Sequence, residues 1–126
     1  MPIFEFLKDY PMMHLMLRSG EETCNVRCVM DTCSPYTIIP TSVLKKLKLD
    51  TSDTITEVYL HGIIHKKECE AMAPAYMLDV EIDNHTLQDI LVVGYDFNPN
   101  TGIVGHNVLS NFQLTVNWKQ RTISLV

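Results

Sequence analysis

What most constrains this chain is its punctuation. Short stretches rich in β-formers are cut by turn residues at intervals of about eight to twelve positions, which predicts a mainly antiparallel, barrel-like β body. Residues 12–18 are almost continuously apolar, Ser19-Gly20-Glu21-Glu22 supplies turn chemistry, and residues 23–30 alternate β-formers with polar residues. That pattern predicts a hairpin whose second strand runs straight into Asp31. Ahead of it, residues 1–10 read as an arm or short edge strand closed by Pro11. Beyond Asp31, Tyr36-Thr37-Ile38-Ile39 reads as a strand ended by Pro40. Thr41 or Ser42 is placed to cap a short helix in which Val43, Leu44, Leu47 and Leu49 share one face.

The remainder continues in the same rhythm. Residues 50–53 form a polar loop and residues 54–60 a strand. Residues 61–67 look like a hairpin tip around Gly62, and residues 68–80 are extended. Leu78-Asp79-Val80-Glu81-Ile82-Asp83 alternates strictly, which fits a strand with its acids toward water better than a metal or catalytic cluster. A turn at Asn84-His85, a strand over 86–93 and a loop over 94–100 follow. In that loop Asp96 is expected to cap a turn rather than to serve as a second catalytic acid. Gly102-Ile103-Val104-Gly105-His106-Asn107-Val108-Leu109 reads as a short buried strand entering a helical turn. The last two strands flank Lys119-Gln120-Arg121. The sequence from apolar strand through turn to helix occurs near Asp31 and again near Gly105, an echo that suggests a pseudo-symmetric β fold.

Composition narrows the function classes. With 126 residues, 46% of them hydrophobic and 20% charged, the chain is expected to fold as one domain over residues 1–126. A formal charge of −5 and scattered basic residues argue against a nucleic-acid partner. Lys45, Lys46 and Lys48 read as the wet face of a helix. No apolar run reaches the roughly 18 residues that span a bilayer and the start lacks a signal-peptide layout, so a cytoplasmic protein away from membranes is expected. Cys24, Cys28, Cys33 and Cys69 are unevenly spaced in a chain that needs no cross-links, and with the histidines they match no zinc signature; reduced thiols and no metal or cofactor are expected. His61 and His65 read as loop histidines, and Met12, Met13 and Met16 as strand and core filler.

Asp31 is the residue that asks for an explanation. It sits at the end of an apolar strand, where a carboxylate loses hydration unless it has work to do. The run Val29-Met30-Asp31-Thr32-Cys33-Ser34 resembles the apolar-Asp-Thr/Ser-Gly-Ala/Ser turn of the retropepsin-like (retroviral-type) aspartic proteases. Tyr36-Thr37-Ile38-Ile39-Pro40 continues that pattern, a glycine-bearing hairpin about thirty residues on resembles the flap, and residues 102–109 resemble the second apolar-apolar-Gly segment with its helix. The order holds over nearly the whole chain.

The resemblance implies a closed antiparallel β-barrel of the acid protease fold, with one or two short helices and a flap, paired about a two-fold axis. It implies an aspartic endopeptidase acting on a peptide or polyprotein, with Asp31 from each of two chains as the catalytic pair. Thr32, Cys33 and Ser34 would form the active-site turn, His61, Gly62, Ile63 and Ile64 the flap, and Ile103, Val104 and Gly105 the supporting segment. Three departures from the family stand out. Cys33 replaces its glycine. His106 and Pro35 replace the arginine and aspartate that many viral members pair, and the flap has only Gly62 between bulky neighbours. Two other readings stay open: a catalytically silent dimeric module that binds peptides or oligomerises, and a small β-barrel binding protein in which Asp31 only caps a turn.

Overall fold

A computed structural model describes residues 3–60 and 71–126. Strands β1 (Phe4–Leu7), β2 (Tyr10–Ser19) and β3 (Glu22–Met30) come first, then β4 (Thr37–Ile39) and helix α1 (Thr41–Lys46). A 3-10 turn (Thr51–Asp53) leads to β5 (Thr56–Leu60), and β6 (Ala71–Ile82) and β7 (His85–Gly94) form the longest antiparallel pair. Strand β8 (Thr101–Val104), helix α2 (His106–Leu109) and strands β9 (Leu114–Asn117) and β10 (Thr122–Leu125) complete the chain.

The main sheet runs β1-β2-β3-β8-β4-β7-β6-β5, and β2 also pairs with β6 through Met16↔Glu81, Leu17↔Val80 and Arg18↔Asp79. Strand pairing therefore runs from β2 through β3, β8, β4, β7 and β6 and returns to β2. The antiparallel expectation is corrected at two ladders: β3 with β8 and β4 with β7 are parallel. These two cannot be hairpins, because parallel strands need a crossover connection. They bring together segments that the sequence keeps far apart.

Tight turns fix the hairpin registers. Gly20, with φ 61°, reverses the chain between the paired Ser19 and Glu22. The β6–β7 turn is Asp83-Asn84 rather than Asn84-His85, because both residues take the positive φ of a primed two-residue turn while His85 already pairs with Ile82. Where β7 takes an extra residue opposite Asp79, the Asp79 carboxylate accepts the Asp89 N–H at 3.2 Å. Pro11 does not close an arm; it lies second in β2, paired with Phe6, close to the strand start where a missing N–H is tolerated.

Strands β4 and β8 are buried along their whole length, and their successive side chains enter two different cores. Ile39 and Val104 join a larger cluster with Leu15, Val26, Leu44 and Val80. Ile38 and Ile103 join a smaller one with Val58, Leu60, Ala73 and Val93. Burial on both faces explains why these segments read as unbroken apolar runs rather than as alternation. The β9–β10 pair docks on β1, with Trp118 edge-on to Phe6 at 6.5 Å and the Arg121 guanidinium over the Phe6 ring at 5.1 Å. Among the described residues no helix is long and apolar enough to cross a membrane.

Candidate active site

Asp31 follows the last residue of β3, and the β3–β8 ladder continues one step past Met30↔Val104: the Asp31 N–H donates to the Val104 carbonyl at 3.0 Å. The chain then turns. The Ser34 N–H donates to the Asp31 carbonyl at 3.2 Å, and the Cys33 N–H donates to Asp31 Oδ1 at 2.9 Å. The Ser34 hydroxyl, nearly buried, donates to the Tyr36 carbonyl at 2.7 Å. Asp31 itself is half-buried while Thr32 and Cys33 are exposed. Among the described residues the Asp31 carboxylate has no other hydrogen-bond partner, so it is aimed by its own turn and keeps an oxygen open to a water or a substrate.

The segment around Gly105 holds this turn from below. A Cβ at Gly105 would fall onto the Tyr36 carbonyl and within 2.7 Å of the Ser34 carbonyl, so only glycine lets the two backbones meet. Next to it the His106 N–H donates to the Ser34 carbonyl at 2.7 Å. The Gly105 N–H donates to Thr37 Oγ1 at 3.1 Å, and the Thr37 hydroxyl donates in turn to Asn107 Oδ1 at 2.9 Å. Asn107 Nδ2 then donates to the Leu91 carbonyl on β7 at 2.8 Å. Ile103 packs in the smaller core and Val104 is fully buried in the larger one. Gly102 repeats the close approach, since a Cβ there would sit 2.7 Å from the Ile38 carbonyl and 2.9 Å from Cys28 Sγ. Burial without compensating charge pushes the Cys28 thiol up to about 12, leaving it an inert core group.

Most of the residues singled out in the sequence meet here: Asp31, Thr32, Cys33 and Ser34 form the turn, and Ile103, Val104 and Gly105 lie against it. His61, Gly62, Ile63 and Ile64, with His65, lie outside the described residues. The backbone at Cys33 does not take the left-handed conformation that favours glycine. Lys8, Lys48, Asp83, Asn84, Asp89 and Arg121 are the non-glycine residues with positive φ among those described, and Cys33 is not one of them. Its side chain points to an exposed position.

Asp96 is no part of this turn. It caps α1 from a distant loop, accepting the Thr41 N–H at 2.8 Å and the Thr41 hydroxyl at 2.6 Å. This corrects the expected cap as well, because Pro40 occupies the N-cap position and offers no side-chain bond. Thr37 and Asn107 are the site residues that sequence reasoning passed over. The available signal was chemical: a threonine beside two isoleucines in a buried strand, and an asparagine two residues after a glycine, each polar where an apolar residue would pack.

No family model and no curated protein matches this sequence. Solved structures do. A crystal structure of a retropepsin-like aspartic protease from Rickettsia conorii superposes with a TM-score of 0.69 at 13% identity, covering 97% of this chain and 86% of that one. The protease of EIAV, in complex with the inhibitor HBY-793, superposes with a TM-score of 0.54 at 13% identity, covering 83% of this chain and 89% of that one.

Proposed function

The chain has the retropepsin-like fold, and from that premise we propose that it is an aspartic endopeptidase working as a homodimer. The observation that carries this reading is the Asp31 turn. Its carboxylate emerges half-buried at the end of β3, oriented by the Cys33 N–H, and the turn is braced through Val104 and His106 on a second segment. Residues 1–126 act as one domain and supply one such aspartate, whereas the reaction uses two carboxylates facing one water. Two copies of the chain bring their Asp31 turns together across a two-fold axis, and the barrel-like body of each closes behind its own turn.

Two carboxylates about 3 Å apart do not both ionise, so the pair holds one proton between them. One Asp31 takes a proton from the water as it attacks the scissile carbonyl, and the other gives its proton to the carbonyl oxygen. Thr32, exposed beside Asp31, hydrogen-bonds across the dimer and stiffens the paired turns. The substrate is an extended peptide or polyprotein segment, and His61, Gly62, Ile63 and Ile64 are the residues proposed to cover it and exclude water. No cofactor is needed for any of these steps.

The exposed side chain of Cys33 favours a second reading, a silent module that pairs and binds peptides without cutting them. Peptide cleavage by the purified protein over a pH series, with Asp31→Asn and Cys33→Gly alongside, separates the two. The endopeptidase shows a bell-shaped profile that Asp31→Asn abolishes. Cleavage that survives Asp31→Asn rules the reading out, and cleavage seen only in Cys33→Gly establishes the silent module.

A further inference from the structure

Residues 104, 105 and 106 are bound one after another to three points around the Asp31 turn. The Val104 carbonyl holds the Asp31 N–H, the Gly105 N–H is held by the Thr37 hydroxyl, and the His106 N–H holds the Ser34 carbonyl. The two outer bonds are the two ends of the turn that aims the carboxylate. The middle bond sets where the whole segment lies.

That middle bond is buried and begins a relay that runs outward through the half-buried Asn107. Thr37 is fully buried, and a hydroxyl there is tolerated only if its hydrogen-bonding capacity is used. It is used in both directions, accepting from Gly105 and donating to Asn107 Oδ1, while the Asn107 amide nitrogen donates to the Leu91 carbonyl. The relay thus ties β4, the start of α2 and β7 to one backbone amide, and its directions fix the orientation of the Asn107 carboxamide. Valine would fill the position of Thr37 with less desolvation, so packing by itself gives no reason for a hydroxyl there.

On the proposed reading of Asp31 as half of a catalytic pair, we propose that Thr37 and Asn107 are positioning residues. They set the Gly105 segment so that Asp31 meets its counterpart in the geometry that shares one proton. Functional groups of this kind are held to within about 0.5 Å of the productive arrangement by the shell behind them, and a misplacement of about 1 Å costs on the order of 10²-fold in rate. Thr37 is fully buried, away from the exposed face of the turn. It acts through Gly105 and Val104.

The test uses the full chain as wild type, Thr37→Val, Thr37→Ser and Asn107→Asp, with kcat and KM measured across pH and the Asp31 carboxyl carbon followed by NMR titration. Thr37→Val is expected to lower kcat by roughly 10- to 100-fold. KM should stay within about twofold of wild type, and both limbs of the pH profile should move, because ground-state binding is spared while the shared proton is not. Thr37→Ser, which keeps the hydroxyl, restores rate and profile. Asn107→Asp keeps an acceptor for Thr37 but loses the donor to Leu91, and gives the same signature at smaller size.

A Thr37→Val protein with a lowered melting temperature but unchanged kcat and pH profile overturns the proposal, as does failure of Thr37→Ser to rescue. If Thr37→Val does not fold, Asn107→Asp decides alone, and an unaltered kcat there is equally fatal. If wild type cleaves no peptide, the endopeptidase reading fails on its own account. The Asp31 titration then decides the positioning role: a curve moved by Thr37→Val and returned by Thr37→Ser supports it, and a curve the variants leave in place ends it.

Discussion

Asp31 and Asp96 both lie just past the ends of strands, β3 and β7, and they differ in what their carboxylates have left to bind. Both oxygens of Asp96 are taken by one residue, Thr41, through its N–H and its hydroxyl. Those two bonds, the hydroxyl first, hold the Asp96 carboxyl below the usual carboxylate value, with a smaller contribution from Lys45. Among the described residues Asp31 accepts one side-chain bond, from an N–H in its own turn, yet the backbone on either side of it is pinned to residues 104–106. A carboxylate that is saturated by a helix start has structural work. One that is held by its backbone and left open is what the proposed catalytic role calls for.

This contrast can be broken at several points, beginning with the largest expected effect. Asp31→Asn should lower peptide cleavage by about 10²- to 10⁴-fold, the loss typical of a positioned acid or base, with the circular dichroism spectrum unchanged. Equal cleavage would make Asp31 no different from Asp96. Gly105→Ala drives a methyl group into the Tyr36 and Ser34 carbonyls, which as backbone cannot swing aside. It should cost about 3 kcal/mol or more in urea unfolding; a fully stable variant would show that the turn is not braced from below.

Cys33→Gly is expected to have a smaller effect. Since Cys33 has no positive φ to relieve, the glycine should change cleavage by less than about tenfold and lower stability by about 0.5–1 kcal/mol through added freedom of the unfolded chain. The smallest change is Asp96→Asn, which should leave cleavage alone and cost less than about 1 kcal/mol, since the asparagine oxygen still accepts the Thr41 N–H while its NH2 cannot accept the hydroxyl. Because the folded-state value is lowered, the stability contributed by Asp96 is present above the ordinary carboxylate value and is lost as pH falls through the lowered one. The gap between wild type and variant should therefore narrow in acid urea titrations. A gap independent of pH would mean that the charge on Asp96 does not matter to the cap.

Elements with local causes were legible in the sequence. The β2–β3 hairpin announced itself through an apolar run, Ser19-Gly20 and alternation, and it does deliver its second strand into Asp31. The alternation over residues 78–83 correctly placed Leu78, Val80 and Ile82 inside, with Asp83 exposed and Asp79 and Glu81 half-buried on the other face. The short helix after Pro40 was expected, and it forms with Val43 and Leu44 buried and Lys45 and Lys46 outside. What failed was the assignment of partners. The cap of α1 was sought in Thr41 or Ser42, its nearest polar residues, but a carboxylate 55 positions later provides it.

By itself, then, the sequence determined that short strands alternate with turns, that a hairpin would lead into Asp31, and that a short buried strand would run into a helical turn near residue 105. These follow from backbone preferences and side-chain periodicity, which act over a few neighbouring residues. Only the tertiary structure decided that β3 and β8 run parallel, that Val104 receives the Asp31 N–H, and that Thr37 reaches Asn107 across 70 positions of chain. Such pairings follow from how two cores are filled on opposite faces of β4 and β8. A hydrogen-bonding side chain carries no local mark of which distant partner that packing will bring to it.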